Sequence, residues 1–186
     1  MTNKKQVVVI LFAAFLLMLC ISVSAQSFIA SNVKTSFFSS TPIEDIKAAS
    51  SKTSAVLISK TGEFAFQVPI KSFEFEKKLM QEHFNENYME SDKYASAGFK
   101  GIIDPNINWL KDGEYNVLAK GTLTIHGVSK PRNIPTKIII KNGAATIASS
   151  FDVTCVDHGI EIPTLVFTKI AKIISVKVNG TLTQKP

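Results

Sequence analysis

The chain has 186 residues, 45% of them hydrophobic, and carries 21 Lys and Arg against 15 Asp and Glu, a formal charge of +6. The basic residues are dispersed, with Lys77-Lys78 and Lys169 to Lys172 the densest spots, and this argues against a nucleic-acid surface, which gathers its cations into one patch or stripe. The length suits one hydrophobic core and is short for two domains.

The N-terminus reads as a secretory signal. Lys4 and Lys5 precede an uncharged apolar run from Val7 to Val23, and Val23-Ser24-Ala25 supplies the small-x-small cleavage site. The expected division is therefore a signal peptide over 1–25, cleaved after Ala25, and a single domain over 26–186, placed in the periplasm or secreted. Cleavage lowers the formal charge from +6 to +4, because two lysines leave and no acid does. The bland rival is a membrane anchor, since about 17 apolar residues can just span a bilayer, but no cationic stop follows the run. A lipid anchor at Cys20 is weaker still, because Leu19 is too large for the preceding position. Loss of Cys20 leaves Cys155 alone, which excludes an intramolecular disulfide and favours a buried thiol acting as a small hydrophobe.

The remaining chain is mostly alternation. Val33 to Ser40 and Ala55 to Lys60 read as strands, joined through a stretch in which Pro42 sets an edge, a turn or a helix start. Lys60-Thr61-Gly62-Glu63 is a hairpin signal, after which Phe64, Phe66, Val68 and Ile70 share one face. From Phe73 to Phe84 the spacing of Phe75, Leu79 and either His83 or Phe84 predicts a helix. Asn85 to Asp92 then crowds turn formers and acids around Tyr88 and Met89, and strand pattern resumes at Phe99 to Ile103.

The later strands are longer. Tyr115, Val117, Ala119, Gly121, Leu123 and Ile125 fall on one face, as do Ile134, Thr136, Ile138 and Ile140. Asn142-Gly143 marks a type I′ hairpin before Ile147, Ser149, Phe151, Val153 and Cys155 alternate back, and Ile174, Val176, Val178, Gly180 and Leu182 form a last apolar face. Long antiparallel strands of this kind close into a barrel or pack as a sandwich. Gly121 and Gly180, in the apolar register of long strands, are either bends or bulges, or space left open inside.

Reaction chemistry is scarce. Cys155-Val-Asp-His158 has a C-x2-H spacing, but without a second ligand cluster it reads as a strand-end turn and not a metal site. There is no Gly-x-Ser-x-Gly elbow and no phosphate loop. Glu44-Asp45 and Glu74/Glu76 read as solvated charges. The expectation is a protein without catalytic residues, metal or cofactor.

Two blocks carry a family resemblance. Leu79-Met-Gln-Glu-His-Phe-Asn-Glu-Asn-Tyr-Met-Glu-Ser-Asp-Lys-Tyr94, followed by Phe99-Lys-Gly101, resembles the signature of the YceI-like lipid/polyisoprenoid-binding family. Thr122-Leu-Thr-Ile-His-Gly-Val-Ser-Lys-Pro131 is similar to that family's second block. The chain departs at Ala95, where the family commonly has proline, and in the segment from Cys155 to His158. The resemblance implies an all-β, extended antiparallel eight-stranded lipocalin-like barrel, with one or two short helices inserted near the middle of the chain. It implies a polyisoprenoid or other long-chain amphipathic lipid as the partner, sequestered or carried in the pore without catalysis. Combined with the apolar faces, it nominates Phe64, Phe66, Val68, Phe99, Tyr115, Val117, Leu123, Ile125, Phe151, Val176 and Val178 as pore lining, and Phe75, Leu79 and Phe84 as the closure of one end. Peripheral contact with a membrane surface and a homodimer are left open. The rival reading is a filled barrel whose Tyr88 and Trp109 region contacts another envelope protein; an enzyme acting on lipid is third.

Overall fold

A computed structural model describes residues 26–163 and 170–185; the expected signal peptide lies outside the described residues. Eight long strands close into one antiparallel barrel: β1 (Ser27–Ser40), β2 (Asp45–Ile58), β3 (Glu63–Pro69), β5 (Ser96–Asp104), β6 (Gly113–Ile125), β7 (Val128–Lys141), β8 (Ala144–Thr154) and β9 (Ile173–Lys185). The neighbour order is β1-β9-β8-β7-β6-β5-β3-β2, and β2 pairs back onto β1 to complete the ring. The two-residue β4 (Glu74–Phe75) pairs with β2 at Ala48 and Ala49, beyond the end of β3.

Local chemistry sets the corners. Asn142 and Gly143 have φ of 51° and 73°, and His126 and Gly127 have φ of 50° and 74°. Both pairs are two-residue turns with positive φ throughout, the geometry that matches strand twist. The first was expected; the second makes His126 a turn residue, between Ile125 and its partner Val128.

The helical segment is shorter than its spacing predicts. Phe73 to Phe75 is extended, Glu76 and Lys77 form a bend, and α1 covers only Lys78–His83 before a wide π turn over Phe84–Tyr88. The reason is visible in Phe73-Glu-Phe-Glu76, an alternating pattern: Phe73 is buried and Phe75 partly buried, while Glu74 and Glu76 face water. Strand pairing with β2 takes these residues before a helix can.

β1 and β2 start earlier than expected for a related reason. Along β1 the inward residues run Phe28, Ala30, then Val33, Thr35, Phe37, Ser39; along β2 they run Ala48, Ser50, then Thr53, Ala55, Leu57. Each strand changes phase at a register shift flanking the Val33↔Thr53 pair. These are β-bulges, which insert residues into one strand and reverse the faces beyond them.

At neither Gly121 nor Gly180 is the missing side chain replaced by open space. Gly121 faces Gly101 across the β5–β6 pair, and a Cβ on either would collide with the other strand's backbone. A Cβ on Gly180 would come within 2.8 Å of Val33 Cγ2. Gly101 and Gly121 let the β5 and β6 backbones approach closely, and Gly180 lets β9 close against the bulged strand at Val33.

One end of the barrel is packed. Phe28, Val33, Val117, Ile140, Ala145 and Leu182 fill it together with Trp109. The Trp109 ring lies 5.6 Å from that of Phe28, and its indole N–H donates to Asn106 Oδ1 at 2.8 Å. Asn106 in turn donates to the carbonyl of Lys60, tying the β5–β6 loop to the β2–β3 turn. Trp109 is thus the plug of a core, with 3% of its surface exposed, and offers no anchor to a partner.

Candidate functional site

Above the packed end the barrel does not fill. A cavity of about 580 Å³ occupies the other half, within the range of ligand pockets. Its floor is formed by Leu57, Phe64, Ile103, Ala119, Ile138 and Ile147, the upper surface of the packed core. It opens at the end that carries the β1–β2 turn, α1 and the Cys155–His158 turn, where Glu44, Lys77, Leu79 and His83 line the mouth.

The structure brings twelve of the fourteen candidate residues together around this space. Phe64, Phe66 and Val68 of β3 and Phe99 of β5 form one wall, Leu123 and Ile125 of β6 continue it, and Phe151, Val176 and Val178 of β8 and β9 face it. Phe64 and Phe99 pack with ring centroids 5.0 Å apart. Phe75 and Phe84 join Phe37 and Phe73 in a four-ring cluster at the mouth, with neighbouring centroids 5.1–5.7 Å apart. Leu79 reaches the same mouth but remains 61% exposed.

Tyr115 and Val117 lie apart from the cavity. They share the inward face of β6 with Leu123, as the alternation requires, but sit nearer the packed end, where Val117 is core and the Tyr115 hydroxyl donates to the Lys111 carbonyl at 3.0 Å. Alternation identifies the inward face of a strand; it carries no information about how far along the axis packing stops.

Several cavity residues were not nominated from sequence. Ile134, Ile138 and Ile147 were recognised as inward-facing, and Ile160, Ile162 and Ile170 come from the stretch before β9, which has no period to read. Phe37 lies in the part of β1 that reads as a strand, but the adjacent Phe38 leaves its inward face undecided, and Phe73 is hidden by the helix expected over 73–84.

The lining is overwhelmingly apolar. Its polar members are Glu44 and Lys77, paired at 3.1 Å on the mouth, Gln67, His83 and a small set of hydroxyls. Thr136 and Ser149 join at 2.8 Å, and Thr35 and Thr53 at 2.7 Å. Cys155 also lines the space; burial pushes its thiol pKa up, so the side chain stays a neutral SH and not a thiolate. His158, three residues on and fully buried, places Nδ1 3.0 Å from the Val128 carbonyl, and burial pushes its pKa down. A neutral ring donating from Nδ1 accounts for both facts.

The two sequence blocks that carry the resemblance meet at this open end. His126, from the β6–β7 turn, sets Nε2 2.8 Å from Glu90 Oε2 and Nδ1 3.2 Å from the His158 carbonyl. Tyr94 packs edge-on against the same imidazole, at 4.5 Å between centroids. Gly127 is required here, since a Cβ would come within 2.5 Å of the Tyr94 ring. The segment between β4 and β5 is thereby fastened to the barrel rim on the side away from the Glu44–Lys77 pair.

Known structures share this architecture. A polyisoprenoid-binding domain from Saccharophagus degradans superimposes with a TM-score of 0.72 at 15% identity, covering 87% of this chain and 99% of its own. BcnA of Burkholderia cenocepacia gives 0.67 at 18%, over 80% of this chain and 95% of its own. The YceI protein of Campylobacter jejuni gives 0.58 at 16%, over 75% and 84%. Among curated proteins none matches the sequence. The model of the YceI-like domain matches residues 21–183; with the closed barrel, the cavity and both blocks in register, the chain belongs to the YceI-like domain family.

Proposed function

We propose that this protein binds a polyisoprenoid or other long-chain amphipathic lipid within the barrel and sequesters or carries it, without chemical change, outside the cytoplasm after removal of residues 1–25. The observation that carries the reading is the apolar cavity of about 580 Å³ open at one end. At about 30 Å³ per group of water or methylene size, it has room for roughly twenty. Burial of about a dozen methylenes, at about 0.8 kcal/mol each, contributes roughly 10 kcal/mol before ordering costs. No directed polar chemistry is needed for such affinity. The neighbour from Saccharophagus degradans, described as a polyisoprenoid-binding domain, supports the choice of ligand class.

The test is native mass spectrometry of protein purified from a bacterial envelope without detergent, followed by solvent extraction and identification of any adduct. A stoichiometric isoprenoid or acyl-chain adduct is expected, on a chain whose mass starts at Gln26. A clean apo mass, with no uptake when lipids are added, overturns the carrier reading.

A further inference from the structure

We propose that the cavity selects chains carrying a carbonyl-type oxygen within their buried length, and that the Thr35–Thr53 pair recognises it; this rests on the carrier reading and names its substrate class more closely. The two hydroxyls are 7% and 3% exposed, face the cavity, and lie 2.7 Å apart. Each hydroxyl has one proton to give, and the bond between them uses one of the two. The second has no acceptor among the described residues.

Comparable pairs in this barrel end differently. Thr136 and Ser149 discharge their chain of donors into the Ile134 carbonyl, 3.2 Å from Thr136 Oγ1. Ser50 and Ser72 discharge theirs into the Pro69 carbonyl. The threonine pair alone of the three keeps a proton with no acceptor among the described residues, and both its side chains line the cavity. Thr35 and Thr53 are placed there by the paired bulges around Val33, which turn both side chains inward.

Position sets the chemistry of the acceptor. Thr35 is near the middle of β1, well below the Glu44–Lys77 mouth, and the neighbouring lining residues Val68, Phe66 and Val178 are apolar. An ionised head would be stripped of water at that depth without a counter-charge, which is strongly unfavourable. A neutral oxygen acceptor satisfies the proton, and a buried donor left without one costs appreciable free energy.

The experiment measures displacement of a lipophilic fluorescent dye from the full mature protein by hexadecane, hexadecan-2-one and hexadecan-8-one. The same series is run on the isosteric double variant Thr35→Val/Thr53→Val, with circular dichroism and thermal midpoints as folding controls. The better ketone's affinity relative to hexadecane should fall about fivefold in the double variant, the change expected for one neutral hydrogen bond. In Thr146→Val/Thr181→Val, which removes an exposed hydroxyl pair on the outer face of the barrel, the ketone-to-alkane ratio should equal that of the unmodified protein. An unchanged ratio in the Thr35/Thr53 variant, or an equal fall in both variants, overturns the proposal while leaving the carrier reading intact. Failure of all three probes to displace dye overturns both.

Discussion

Val176 faces the cavity from β9, and its replacement by tryptophan separates an open pore from a filled one. The larger side chain removes space for about three methylene groups at about 30 Å³ each. At about 0.8 kcal/mol per methylene, a long-chain ligand should lose about 2.4 kcal/mol, a roughly fiftyfold weaker Kd. The fold itself should be little affected, because the indole enters space that no protein atom occupies. In a filled core the same insertion would be overpacking and would cost about 1–3 kcal/mol of stability. Competition between a fluorescent lipophile and a long-chain fatty alcohol reads the first quantity, and urea titration reads the second. An open pore beside Val176 is refuted if Val176→Trp unfolds in appreciably less urea, or if it is stable yet binds the alcohol as tightly as the unmodified protein.

Two further outcomes follow from the contrast between the barrel's halves and from its buried histidine. Leu182→Ala, at a fully buried position in the packed end, should lower stability by about 3–5 kcal/mol, whereas Leu123→Ala, beside existing empty volume, should cost clearly less; equal urea midpoints would contradict the placement of the cavity floor. His158 is held neutral by burial, its pKa below the ordinary value near 6.5. The unfolded chain therefore takes up a proton that the folded chain refuses, and stability should fall as pH drops below about 6.5. In His158→Gln that part of the pH dependence should disappear from the difference between thermal midpoints at pH 7.5 and pH 5.5, and its persistence would refute the assignment.

How much of this was legible depended on whether alternation survived. In β6, β7, β8 and β9 it runs unbroken, so the inward faces were read correctly, down to the hairpin at Asn142-Gly143. In β1 and β2 the bulges reverse it midway, and only the halves beyond the bulges, Val33 to Ser40 and Ala55 onward, resembled strands. The period-two signal of Phe73-Glu-Phe-Glu was present but overlapped a helical spacing, and pairing with Ala48 and Ala49 decided between them. For the site, the pattern told which residues face inward. That Val117 packs while Leu123 lines a void depends on Trp109 and Phe28 plugging one end, contacts between residues 81 positions apart. Nothing local to β6 carries that information. The threonine pair was invisible for the same reason, since Thr53 faces inward only because Ser51 and Lys52 bulge out before it.

The ring is closed by β1, which pairs with β2 on one side and with β9, the last strand in sequence, on the other. Ser27 stands opposite Lys185 in that seam. No smaller set of these strands makes a barrel: a chain emerging N-terminus first keeps β1 and its current last strand as open edges until β9 is delivered. The seam joins residues at the greatest possible separation along the domain, the slowest kind of contact to form. Until it forms, the apolar wall that will hold a lipid is exposed to any other strand or chain nearby. Loss of β9 by truncation would therefore leave an aggregation-prone open sheet with two live edges, and would not yield a smaller container.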